Sequence, residues 1–174
     1  MRTIVFLFLL IDLNCSYGQE SIFPQFNLNI LTPFSPEGNI EEIPKKWGKG
    51  IDISIRGAQK VKLFTIYGQD TYRFPVLVQY EGKKILDFFT RPPSYLLHDF
   101  FHQSLIDKHG KQKEYFLTNG TASYIWVKDK INIYYQSTCT ITCFPIFYSE
   151  VGKNVKNVPG YKSLGKLLEE SEAI

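Results

Sequence analysis

Asn119-Gly120 stands between Tyr115-Phe116-Leu117-Thr118 and Thr121-Ala122-Ser123-Tyr124-Ile125-Trp126-Val127. A two-residue type I′ turn needs positive φ at both central positions, which asparagine and glycine adopt at least cost, and its twist matches that of paired strands. Both flanks are rich in β-branched and aromatic residues, so the pair closes a tight antiparallel hairpin. A chain organised around such a hairpin must bury at least one face of a sheet, and aromatics at 16% of the composition supply the area to do so.

The strand pattern extends in both directions. Ile51, Ile53 and Ile55 alternate with Asp52, Ser54 and Arg56, the period of a half-buried strand. Residues 61–67 and 74–80 are rich in strand formers and are bounded by polar stretches around Gly57 and Gly68. A shorter strand over 84–89 follows the Glu81-Gly82-Lys83 turn, and Arg91-Pro92-Pro93 then ends pairing, because proline offers no backbone donor. Beyond the hairpin, Lys128-Asp129-Lys130 turns the chain into a strand over 131–136. A last strand covers 143–148, where Pro145 demands an edge or a bulge.

Between the two sets of strands, Ser94 is a suitable N-cap, and Leu97, Phe101 and Leu105, with Leu96 and Phe100 beside them, recur at helical spacing over 95–108 before Gly110. Leu164, Leu167 and Leu168, after Pro159-Gly160, mark a short closing helix. Its lysines come first and Glu169, Glu170 and Glu172 last, against the macrodipole, so it depends on packing. Connections this short favour neighbouring antiparallel strands. The expectation is an α+β, β-rich domain of two antiparallel meanders with about eight strands, a central helix and a short C-terminal helix, or a partly closed barrel capped by the central helix. An outer-membrane barrel fits less well, since its strands need ~9–11 residues with an apolar outer face, and these are shorter, charged and interrupted by a helix.

Ahead of the strands, residues 19–47 carry Pro24, Pro33, Pro36 and Pro44 with little periodicity and read as an extended arm that either lies on the single globular domain over 48–174 or stays loose. Met1, Arg2, an apolar run over 4–11 and Ser16-Tyr17-Gly18 read as a cleavable secretory leader over 1–18. The run is eight residues long before Asp12, short of the ~20 that cross a bilayer as a helix. No transmembrane segment is therefore expected in the mature chain of 156 residues. A cut after a small residue and directly before Gln19 resembles leaders of the Bacteroidota, which implies a periplasmic or secreted protein. Cys15 invites a lipoprotein reading, but Asp12 and Asn14 stand where such signals carry an apolar and a small residue.

Loss of the leader leaves Cys139 and Cys143 in an oxidising compartment, which points to one disulfide. Four residues of straight strand span ~13 Å, beyond the ~4.4 to 6.8 Å a disulfide accepts between α-carbons. The bond therefore requires Thr140-Ile141-Thr142 to be a hairpin tip. A redox or metal-binding pair fits less well, because redox pairs usually have two intervening residues. A net charge of +3 is mild and dispersed over Lys45, Lys46 and Lys49 around Trp47 and over Lys108, His109, Lys111 and Lys113, which argues against nucleic acid.

His98-Asp99-Phe100-Phe101-His102 has the spacing of the zincin motif, in which two histidines four apart on one helix bind zinc and the acid after the first activates water. The resemblance covers these five residues. It implies His98 and His102 as ligands and Asp99 as base or orienter, although Asp99 stands where the motif has glutamate, and His109 falls outside the longer three-histidine form. The same spacing equally suits half-buried histidines bordering the apolar arc of Leu97, Phe100, Phe101 and Leu105. There is no G-x-S-x-G elbow, Walker loop or dinucleotide fingerprint, and Gly48-Lys49-Gly50 precedes a strand where a phosphate loop would follow one. Asn119-Gly120-Thr121 matches a glycosylation sequon, but the hairpin turn already accounts for it.

Aromatic and aliphatic residues on both sides of the hairpin strands, Tyr124 and Trp126 against Ile125 and Val127, require cover for each face from the core, the helix, a partner or an apolar ligand. The expected function is an exported binding or interaction domain without catalytic activity or cofactor. Its partner would be a protein or a small apolar ligand. Two alternatives stand beside it: a zinc-dependent hydrolase acting through His98, Asp99 and His102, and an apolar-ligand carrier.

Overall fold

A computed structural model describes residues 26–68, 72–93 and 98–172. The leader expected over 1–18 lies outside the described residues, as do Ser94 and residues 95–97 of the expected central helix.

The strands are β1 (Ile51–Ile53), β2 (Lys60–Gly68), β3 (Tyr72–Glu81), β4 (Lys84–Thr90), β5 (Glu114–Thr118), β6 (Thr121–Val127), β7 (Ile131–Cys139) and β8 (Cys143–Gly152). They form one antiparallel sheet in the order β1-β2-β3-β4-β8-β7-β6-β5. Two four-stranded meanders therefore lie side by side, joined where β4 meets β8. The expected meanders form, and the barrel does not: β1 and β5 stand at opposite ends of an open sheet. A barrel would fill its interior with strand side chains alone. Here helical segments cover the faces instead, so the sheet stays a layer.

Asn119 and Gly120 take φ of 50° and 77°, and Thr118 pairs with Thr121 across them, as a type I′ hairpin requires. Pro145 is accommodated in two ways. The β7–β8 register slips beside it, from Gln136↔Phe147 to Ser137↔Pro145, leaving Ile146 as a bulge, and β4 reaches only as far as Tyr148, so no ladder partner lacks a donor. Cys139 and Cys143 face each other in register at the tip of that hairpin, joined as a disulfide with α-carbons 4.1 Å apart. The tip residue Ile141 is fully exposed.

The segment expected as an extended arm is coiled in its described part. Residues Leu28–Phe34 and Ile40–Glu42 form 3-10 turns capped by the side chains of Asn27 and Asn39, and Pro44–Trp47 forms α1 with proline in its first turn. Leu28, Leu31, Phe34, Ile40 and Ile43 join the main core, so the segment is a structural layer and not a loose appendage. It is tied to the sheet by Glu37 N–H to Ile85 O, Ile85 N–H to Gly38 O and Ile40 N–H to Lys83 O.

The central helix α2 is described over His98–His109 and ends at Gly110, whose φ of 75° is the left-handed stop that glycine supplies. It packs with the 3-10 segment on one face of the sheet, burying Phe101 and Leu105 against residues of both meanders. The closing helix α3 (Leu164–Glu172) lies on the opposite face over β4, with Leu164 against Val61 and Phe89. No helix among the described residues is long and apolar enough to cross a membrane.

Candidate functional site

The strand registers place Tyr115, Tyr124, Tyr135 and Tyr148 on one rung that crosses β5, β6, β7 and β8 on the face under α2. His98 is set down onto the middle of this rung. Its ring lies nearly parallel to Tyr135 (7°, centroids 5.6 Å) and stacks on Tyr124 (5.5 Å) and His102 (4.9 Å). His98 Nδ1 is 2.9 Å from the Tyr135 hydroxyl and Nε2 is 3.4 Å from that of Tyr124. A neutral imidazole has one donor and one acceptor nitrogen, and a phenol can serve either, so the two tyrosines satisfy an uncharged His98. Burial accordingly holds its pKa below the ordinary value, against the opposing influence of Asp99.

His102 lies one turn on, with its ring centroid 4.3 Å from that of Tyr124 and 6.1 Å from that of Trp126. Its Nε2 is buried without a hydrogen-bond partner. Burial first, and then the neighbouring charge of His98, push its pKa down to about 4. His109 is also held at about 4, by burial and then by Lys108 and Lys128, but it sits seven residues farther along, about 10 Å down the helix axis. Asp99 is exposed.

The structure thus brings His98 and His102 together, as stacked neutral rings, and leaves Asp99 at the surface and His109 apart. Among the described residues, no group of three or more histidine, cysteine, aspartate or glutamate side chains is placed to hold a metal. Tyr124 and Tyr135 are the partners that the histidine spacing does not reveal. Their signal lies in the alternation of β6 and β7, which puts Tyr124 on the inward face with Trp126, and Tyr135 with Ile133.

The opposite face carries a different feature. α3 covers β4 but leaves the β5–β8 half of the sheet open, and a groove of about 510 Å³ runs between that half and the helix. Its floor includes alternate residues on three strands: Ser123 and Ile125 of β6, Gln136 and Tyr134 of β7, and Phe147, Ser149 and Val151 of β8. Phe116 lies at the outer end, and Gly165, Lys166 and Glu169 of α3 form the wall. A second hollow of about 280 Å³, lined by Leu63, Leu77, Phe89 and Leu168 among others, flanks the helix on its other side. α3 is therefore a ridge between two apolar depressions.

The ridge is fastened at its start by an acid from the sheet. Asp87 of β4 accepts hydrogen bonds from Leu164 N–H (2.7 Å), Tyr161 O–H (2.9 Å) and Gln79 Nε2 (3.0 Å). The carboxylate caps the N-terminus of α3 and so fixes the groove wall. Burial raises the Asp87 pKa to about 6, opposed by these three hydrogen bonds. A lone acid inside Ile85-Leu86-Asp87-Phe88-Phe89 is the sequence signal that marks it.

A floor that mixes Ile125, Tyr134, Phe147 and Val151 with Ser123 and Gln136, beside a wall bearing Lys166 and Glu169, suits non-covalent binding of a ligand with an apolar body and a polar end. No histidine or cysteine lines the groove, and the stacked histidines lie on the other side of the sheet. Compared with known proteins, the chain matches no family model, no curated protein and no solved structure.

Proposed function

We propose that the protein is an exported, non-catalytic binding domain that takes a small apolar or amphipathic ligand in the groove between β5–β8 and α3. The observation that carries this reading is the groove itself, with Ile125, Tyr134, Phe147 and Val151 on its floor and Lys166 and Glu169 at its edge. Export is supported by the leader pattern of residues 1–18 and by the Cys139–Cys143 pair at disulfide distance. A protein partner remains the second form of the binding reading, favoured by Ile141, which the closed disulfide loop presents fully exposed. A zinc hydrolase on α2 would require His98 to release both tyrosine hydroxyls and a further ligand to join His102.

The test is titration with cis-parinaric acid, a fluorescent amphiphile, alongside mass spectrometry of a solvent extract of the purified protein. Saturable binding at one site is expected, weakened at least about tenfold by Ile125→Glu, since a charge placed in an apolar site costs well over 1 kcal/mol. Thermal melting should show that this half-buried position tolerates the change. Non-saturable binding, or equal binding by a folded Ile125→Glu variant, would overturn the reading.

A further inference from the structure

The two ends of the sheet are built differently. At one end, β1 has three residues, and its central Asp52 is paired with Lys62 at 2.7 Å. At the other, β5 has five residues, all exposed, with Tyr115, Phe116 and Leu117 in succession at 50%, 52% and 62% exposure. An edge strand presents a row of N–H and C=O groups that templates another strand unless the edge is short, charged or covered. β1 is short and charged. β5 has neither protection over its three apolar residues.

The hairpin decides which backbone groups face outward. A two-residue turn makes Thr118 and Thr121 a hydrogen-bonded pair, and antiparallel alternation makes Phe116 and Ser123 the next. Tyr115 and Leu117 therefore turn their N–H and C=O groups to the open side.

We propose that β5 is a self-pairing edge, through which two copies of the chain join antiparallel about a twofold axis at Phe116 and fuse their sheets into one. In this register Tyr115 of each copy lies opposite Leu117 of the other, and the outward groups of these residues bond across the junction. Glu114 falls opposite Thr118 and Lys113 opposite Asn119, so no like charges meet. Centring the axis on Tyr115 sets Glu114 against Phe116 and Lys113 against Leu117, and centring it on Glu114 sets that acid against itself. Charge thus selects the register in which the three apolar residues cover one another.

A second copy supplies this complement by symmetry. The contact is isologous and uses both β5 edges, so assembly stops at two, with only the blunted β1 ends left over. Half-exposed side chains of this size contribute about 100 Å² each, or about 600 Å² for the pair of strands, below the ~1,200 Å² of a stable complex. The dimer is accordingly a weak, concentration-dependent one.

Sedimentation velocity on the purified chain, from micromolar to near-millimolar concentration, tests this. A monomer–dimer equilibrium is expected. It should weaken at least about tenfold in Leu117→Lys, and equally in Leu117→Pro, which removes an outward donor at an edge position that accepts proline. Leu117 does not line the groove, so these variants keep binding of cis-parinaric acid, which separates the dimer from the ligand reading. Hydrogen exchange of wild-type protein gives a check free of substitutions: the Tyr115 and Leu117 amides should slow as concentration rises. A monomer throughout, a dimer that both folded variants leave intact, or exchange at these amides independent of concentration would overturn the proposal.

Discussion

His102 and Asp87 are both buried titratable groups, and they pull stability in opposite directions with pH. His102 and His109 are held at about 4 in the fold, against 6.5 when free. The unfolded chain therefore takes up protons first, so their contribution is complete above about pH 6.5 and is lost as pH falls towards 4. Asp87 is raised to about 6 from 3.8, so the folded state holds its proton more tightly. Its contribution is complete below about pH 4 and is lost as pH rises through 6. Denaturant melts between pH 4 and 7 should show stability falling on acidification in the wild type. His102→Phe should flatten that loss and Asp87→Asn should steepen it, each by on the order of 1 kcal/mol, allowing for partial exposure. A steeper loss in His102→Phe, or a flatter one in Asp87→Asn, would contradict the protonation states assigned here. At this scale the sequence shows that His98 and His102 share a helix face, but not that tyrosines occupy both nitrogens of His98. Those partners come from strands 26 and 37 residues away, and pairing over such separations leaves no local periodicity.

The strands are the most legible elements, because period-two alternation and Asn-Gly are local signals, and all eight form close to where the pattern places them. The segment before β1 is less legible. Leu28, Leu31 and Phe34 recur every third residue, the period of a 3-10 turn, within a stretch where Pro33 suggests extended chain. α3 is legible as a helix, but its docking is not, since the acid that caps it sits 77 residues earlier in β4. Glu169 and Glu170 at its far end oppose the macrodipole, and Asp87 at its start favours it. Asp87→Ala should therefore cost about 2–3 kcal/mol, from the lost cap and the donors left unpaired. Hydrogen exchange should localise the effect, with the amides of Leu164–Glu172 losing protection before those of β7 and β8. Uniform loss across the protein would mean that α3 is held by its leucines and not by the cap.

The molecule as a whole has a seam. Among the described residues, β4 and β8 are paired only over Asp87↔Val151 to Thr90↔Tyr148, the one place there where the two meanders are hydrogen-bonded as strands. That neighbours so far apart in the chain would meet could not be read from local pattern. Ring packing adds to the ladder across the seam: Phe88 sits edge-on to Tyr148, and Phe101 of α2 does the same. Glu150 of β8, buried at 3% exposure, accepts hydrogen bonds from Tyr148 O–H (2.5 Å) and, reaching over to the N-terminal segment, from Ser35 O–H (2.6 Å). It thereby ties strand, seam and covering layer at one carboxylate. Glu150→Ala leaves two hydroxyls without their acceptor and should cost about 3 kcal/mol, with Glu150→Gln, which keeps one acceptor oxygen, losing about half as much. Because the covering layer packs on both meanders, urea unfolding should stay a single transition in both variants, with tryptophan fluorescence and far-ultraviolet circular dichroism coincident and only the midpoint lowered. Separate transitions for the two probes would show instead that each meander folds alone and that the seam joins two independent halves.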